Sequence, residues 1–143
     1  MAEQKYAKYF ITSDKPDLKL PSYRHNYDFI KRVTHIDADT VPGAKFYNES
    51  MWITPSETAK GDNVLADSHT HDWGQFLCFY VYNYDDIHDL GAEVEFTIDG
   101  EKHVITESFS AFIPAGIQHG PLIIRNVTKP IFVFSSGSTE HYE

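Results

Sequence analysis

Three histidines carry the chemistry that this sequence offers. His69 and His71 stand as an H-x-H pair, and His119 closes the string Pro114-Ala115-Gly116-Ile117-Gln118-His119. Neutral imidazole is the commonest metal-ligating side chain. On a strand the pair would present both rings to one face, since alternate residues point the same way. The pair alone says little, because eight histidines in 143 residues give about 0.4 such pairs by chance. The second string is rarer, expected about 0.02 times at this composition, and its parts have separate tasks: Pro114 ends one strand, Gly116 permits the reversal and His119 opens the next. Both strings in this order, with Gln75 four residues after His71, would arise by chance in roughly one chain in a thousand.

The elements that must position these residues read as short strands. Phe46 to Thr54 lies between Gly43 and Pro55, and Val64 to His71 follows a loop from Ser56 to Asn63. The tight turn Asp72-Trp73-Gly74 leads into Gln75 to Tyr82, dense in aromatic and β-branched residues, which favour pleated surfaces. On that strand Gln75 shares a face with Leu77 and Phe79, and Cys78 falls on the other as buried packing. A polar loop from Asn83 to Leu90 precedes Ala92 to Ile98, where Val94, Phe96 and Ile98 alternate with Glu93, Glu95 and Thr97. Asp99-Gly100 is the pair a two-residue hairpin turn prefers, and His103 to Thr106 returns from it. Ala111 to Pro114, Pro121 to Ile124 and Ile131 to Ser135 complete the series, and the tail from Ser136 is expected to fray. Pro16, Pro21 and Pro42 leave no room for a long helix before residue 46, and Ser22 to Val33 has space for one short helix or strand. The expected architecture is all-β, a sandwich or barrel.

With these motifs in this order the chain resembles the cupin superfamily over residues 46 to 136. The resemblance rests on His69-Thr70-His71-Asp72-Trp73-Gly74-Gln75 and on Pro114-Ala115-Gly116-Ile117-Gln118-His119. It implies an antiparallel jelly-roll barrel with a divalent metal in its mouth, Zn, Fe, Ni, Co or Mn, held by His69, His71, Gln75 and His119. Residues 1 to 45 are expected to form an N-terminal extension packing on the barrel or a partner subunit, since exposed edge strands need cover, with residues 137 to 143 as a C-terminal tail; the resemblance adds a homodimer. The sequence departs from the family pattern at Gln75, where Glu is usual, at Ser108, where the second motif opens with Gly, and at Ile123, where it often ends in Asn. The linker through Asn83 to Leu90 is also longer.

Three neutral imidazoles and an amide oxygen leave the +2 of a metal uncompensated, which favours Lewis-acid chemistry on an anionic, oxygen-bearing substrate. By the family resemblance, a Gln at this position points to isomerases and cyclases acting on sugar-derived or keto-acid compounds. The expected activity is isomerisation, tautomerisation or elimination on a small keto or hydroxy acid or sugar-derived compound. The alternatives are an Fe(II) dioxygenase and a non-catalytic small-molecule-binding barrel. Counting in twos from His119 puts Arg125 on the inward face, where a guanidinium could clamp a substrate carboxylate. Trp52, Phe79 and Trp73 are candidates for the cavity wall, while Tyr80, Tyr82, Tyr84 and His88 cluster at the acidic loop.

Composition narrows the classes further. Residues 1 to 45 carry eight Lys and Arg against six Asp and Glu, and residues 46 to 143 carry four against fifteen. An acidic body repels phosphate backbones, so nucleic acid is not an expected partner. One cysteine excludes an internal disulfide framework. With no apolar run approaching about 20 residues and no apolar leader in the first 20, a cytoplasmic protein without membrane association is expected.

Overall fold

The computed structural model describes residues 4–142. In chain order the strands are β1 (Ile30–Ile36), β2 (Tyr47–Ile53), β3 (Asn63–Ala66), β4 (Gln75–Val81), β5 (Asp89–Ile98), β6 (Glu101–Glu107), β7 (Phe109–Ile113), β8 (His119–Arg125) and β9 (Ile131–Gly137). At the Asp99-Gly100 turn both residues adopt positive φ, 48° and 77°, as a two-residue hairpin needs. The turn sets β5 against β6 with Ile98 opposite Glu101. From this tip the pairing nests outward, β4 with β7, β3 with β8 and β2 with β9, all antiparallel. One long hairpin has therefore been rolled so that its arms alternate between two sheets, β1-β2-β9-β4-β7 and β3-β8-β5-β6. This is a jelly roll, the all-β fold expected from the sequence.

The inward residues change character along the barrel. On β2 they run Tyr47, Glu49, Met51, Ile53; on β4 Gln75, Leu77, Phe79, Val81; on β9 Gly137, Ser135, Val133, Ile131. Register places Glu49 opposite Ser135, and both Tyr47 and Gln75 opposite Gly137. The base is thus apolar, closed by Phe79, Leu90, Val94, Ile113, Ile124 and Ile131, all under 2% exposed. The mouth is polar. Burying that base drives folding at roughly 25 cal/mol per Å² of apolar surface, and the polar mouth contributes little to it.

Two segments differ from expectation, and a third takes one of the forms the sequence left open. Ser56 to Asn63 holds a one-turn helix, α1 (Glu57–Lys60), because the Ser56 hydroxyl accepts from the Ala59 N–H at 3.1 Å and caps it. The stretch before residue 46 supplies β1, which pairs along β2 from Ile30 opposite Ile53 to Ile36 opposite Asn48. The tail does not fray: β9 continues through Gly137, the Ala38 N–H donates to the Glu140 carbonyl at 3.0 Å, and Tyr142 turns back onto the mouth. Ser108 receives the Val81 N–H and donates to the Ile87 carbonyl, fastening the loop before β5. Among the described residues no helix is long and apolar enough to cross a membrane.

Candidate metal centre

Backbone hydrogen bonds sew the two histidine motifs together. His69 and His119 exchange N–H···O=C bonds of 2.8 and 2.9 Å, and the Gly116 N–H donates to the His71 carbonyl at 2.7 Å. β3 ends at Ala66, so His69 and His71 sit on a loop and not on the strand that alternation suggested; the isolated bridge between His69 and His119 takes over the strand's work. A directly opposed antiparallel pair sends both side chains to one face, and the His69 and His119 rings lie 4.3 Å apart, with His71 4.7 Å from His69. One ring nitrogen from each of the three lies within 4.8 Å of the others. Metal–nitrogen bonds of about 2.0–2.1 Å correspond to donor separations of roughly 3–4 Å, so the three are close enough to be drawn onto one ion.

The tautomers are fixed by the backbone. His69 Nδ1 lies 2.6 Å from the Asp67 carbonyl and His119 Nδ1 lies 2.9 Å from that of Ile117. A carbonyl only accepts, so each Nδ1 carries the proton and each Nε2 presents a lone pair, the arrangement that orients metal-binding histidines. The His119 Nε2 is buried with no hydrogen-bond partner among the described residues, a costly state for a polar atom that a cation would relieve. Burial lowers the pKa of His69 to about 4, against the opposing pull of the Asp67 carbonyl, and also lowers that of His119. Both rings are neutral at pH 7, as ligation requires. The donor set fits a divalent metal.

Gln75, 6% exposed, lines the same cavity. Its amide nitrogen donates to Ser135 Oγ at 2.8 Å and to the Tyr47 hydroxyl at 3.4 Å, and those two hydroxyls hydrogen-bond each other. With the nitrogen so engaged, the carbonyl oxygen is the group's remaining polar atom. Trp73 stacks on His71 at 4.1 Å and 17°, and Phe79, fully buried, walls the cavity and stacks on Phe109 at 5.1 Å. Gly137 is required where it stands, because a Cβ there would run into the Trp73 ring.

Two candidates lie elsewhere. Arg125 is outside the cavity, paired with Asp62 and Glu93 at 2.7 Å each. Counting in twos fails because β8 carries one extra residue: Phe96 opposes Leu122 while Ile98 opposes His119. That bulge reverses the phase, turning Leu122 and Ile124 inward and Arg125 outward. Trp52 falls on the outer phase of β2, packed edge-on against Phe132 at 5.1 Å.

The structure adds residues that sequence reasoning passed over. Glu49, 1% exposed, is spanned by Arg24 on one oxygen at 2.6 Å and Arg32 on the other at 2.8 Å. Arg24 arrives because residues 23–25 run beside β3: the His25 N–H donates to the Leu65 carbonyl and the Asp67 N–H to that of Tyr23. The same segment lays the Tyr23 ring on His69 at 3.6 Å. A signal for Glu49 existed, since it shares its phase with Tyr47, Met51 and Ile53. Arg24 and Tyr23, in a stretch without periodicity, had none.

Gly120 follows His119 with φ at 105°, and a Cβ there would sit 2.7 Å from the Asp67 carbonyl oxygen and 2.8 Å from the Ser68 Cα. Both neighbours are backbone and cannot rotate away. Gly120→Ala is therefore expected to cost about 2–4 kcal/mol from clash and strained φ together and to part the two motifs. Urea unfolding and metal uptake should fall together; a variant as stable as the parent would show the contact to be soft.

No family model and no curated protein sequence matches the chain. Similar solved structures include a cupin protein from Bacteroides fragilis, 13% identical, with TM-score 0.46 and covering 87% of this chain and 93% of that one. The cupin domain of Cnp3 from Schizosaccharomyces pombe is 10% identical, with TM-score 0.48 and coverage of 87% and 70%. KdgF from Halomonas is 13% identical, with TM-score 0.45 and coverage of 87% and 97%. These likenesses say nothing of chemistry, and the jelly roll rests on this chain's own strand order.

Proposed function

We propose that this chain is a metal-dependent enzyme on a cupin-type jelly roll, acting as an isomerase, tautomerase or lyase on a small oxygenated acid or sugar-derived compound. The observation that carries the reading is the convergence of His69, His71 and His119, with the His119 Nε2 buried and lacking a partner among the described residues. A divalent cation held there would supply Lewis acidity, undiminished because the histidines bring no negative charge.

The chain's own groups have defined parts. The Asp67 and Ile117 carbonyls hold the His69 and His119 rings in the ligating tautomer. Gln75, oriented through Ser135, would serve as a fourth donor or position a water. Trp73 covers the back of His71, while Leu77, Phe79 and Leu122 give the cavity apolar walls that exclude water and strengthen electrostatics inside.

The test is anaerobic turnover of a panel of keto acids and uronates by protein reconstituted with zinc or manganese. Product should form without oxygen and cease on adding chelator. Turnover that consumes oxygen and accepts only iron would replace this reading with the dioxygenase. A ligand-dependent rise in melting temperature with no product would replace it with a binding barrel.

A further inference from the structure

The cavity that holds the histidines has a second polar pole. Among the described residues lining it, Arg24 is the permanent cation and Glu49 the carboxylate. Glu49 is saturated by Arg24 and Arg32. The remaining acid on Arg32 is Asp14, 2.9 Å from its Nε, with a side chain 35% exposed. Two guanidiniums and two carboxylates therefore balance here, and of the two arginines Arg24 is the one that lines the cavity. Glu49 at 2.6 Å also fixes the Arg24 rotamer, so the fork is preorganised.

What touches Arg24 shows the kind of ligand it accepts. The Arg24 guanidinium sits over the Tyr142 ring, its Cζ 5.5 Å from the centroid, and the Tyr23 ring meets that of Tyr142 edge-on at 6.2 Å. The Tyr142 ring also approaches His71 at 5.9 Å and Trp73 at 6.0 Å, so it stands between the arginine and the histidines. A hydroxyl-bearing ring therefore already lies against the guanidinium within the cavity that both side chains line.

We propose that Arg24 is the carboxylate-binding residue of this cavity, and that the Tyr142 hydroxyl holds the place a ligand carboxylate takes when it enters. Deepening the reading under Proposed function, this makes the ligand a small oxo or hydroxy acid with its carboxylate on Arg24 and its other oxygen toward the histidines. A carboxylate fits better than a phosphate. The cavity walls between the two poles are apolar, and beside Arg24 no second side-chain cation lines the cavity among the described residues to offset a second negative charge.

The experiment compares pyruvate with methyl pyruvate, which differ in the charged group, by NMR titration of metal-free and zinc-loaded protein. The parent should bind pyruvate at least about tenfold more tightly, an energy typical of a charge-assisted bidentate pair. Arg24→Lys, which keeps a cation beside Glu49, should lose most of that preference, as should Arg24→Gln if it folds. Tyr142→Phe, which keeps the ring and removes the competing oxygen, should bind pyruvate more tightly. Arg125→Gln should change nothing. A merely structural role for Arg24 would weaken pyruvate and its ester alike. Equal binding of the two by the parent, a preference surviving in Arg24→Lys, weaker pyruvate binding by Tyr142→Phe, or inorganic phosphate outcompeting pyruvate would each overturn the proposal. The metal-free titration reads Arg24 alone, whereas zinc that fails to bind at the histidines removes the enzymatic reading and leaves the arginine result standing.

Discussion

His119→Ala is expected to abolish thermal stabilisation by metal while leaving the metal-free protein close to its original stability. In the parent, zinc at 1,000 times its dissociation constant should add about 4 kcal/mol through mass action, raising the melting temperature by roughly 10–15 °C for a domain of this size. Loss of one of three imidazole ligands should weaken binding about 1,000-fold or more, beyond the 10–100-fold seen when only a supporting group is removed, so at the same zinc concentration the mutant should keep no more than about 0.4 kcal/mol of stabilisation. Without metal the balance is different. The mutation leaves a small void and frees the Ile117 carbonyl that His119 had engaged, but it also removes a buried nitrogen with no partner among the described residues. These opposing effects of about 1–3 kcal/mol each should nearly cancel. Calorimetry with and without zinc reads both halves at once. Equal zinc-induced shifts in mutant and parent would mean that the convergence of rings is packing and not coordination.

Glu49→Gln should be among the most destabilising single changes, by about 3–5 kcal/mol at pH 7, because it strips the shared counter-charge from two guanidiniums. The pH dependence follows from the same contact. Burial alone would raise the Glu49 pKa, but Arg24 and then Arg32 overcome it and hold the carboxyl below its ordinary 4.5. A group with a depressed folded pKa binds more protons when unfolded. Its stabilisation is therefore complete above the unfolded pKa and disappears as pH falls through the lower folded value. Asp37, held down by Lys15, Thr40 and His35 against burial, acts in the same direction. Urea unfolding of parent and Glu49→Gln at pH 7 and pH 3 should show the gap between them narrowing in acid. A gap of constant width would remove the ionised clamp as its source.

The parts of this structure that were legible in the sequence are those whose signal is local. Alternation in Ala92 to Ile98 and the Asp99-Gly100 turn specified the central hairpin, because side-chain phase and positive φ are read residue by residue. The histidines were legible because their motifs encode both ligand and turn. Arg125 and Trp52 were misplaced by reasons of phase: one inserted residue in β8 inverts everything beyond it, and the Phe46 to Thr54 strand was read by content without asking which side each aromatic faced. Arg24, Tyr23 and Tyr142 could not be seen because segments distant in sequence bring them to the mouth through backbone pairing that no periodicity announces. Glu49 lay between these cases, visible as an acid on an otherwise inward phase.

The nested pairing of strands has a consequence for biosynthesis. β2 waits for β9, and Gln75 finds Ser135 only when residues some sixty positions downstream have left the ribosome. A nascent chain that has already released both histidine motifs still lacks one wall of their chamber. Its apolar base would lie open to chaperones or aggregation during that interval, because long-range β pairing is slow. A metal bound by these histidines would thus be acquired late, after release of β9.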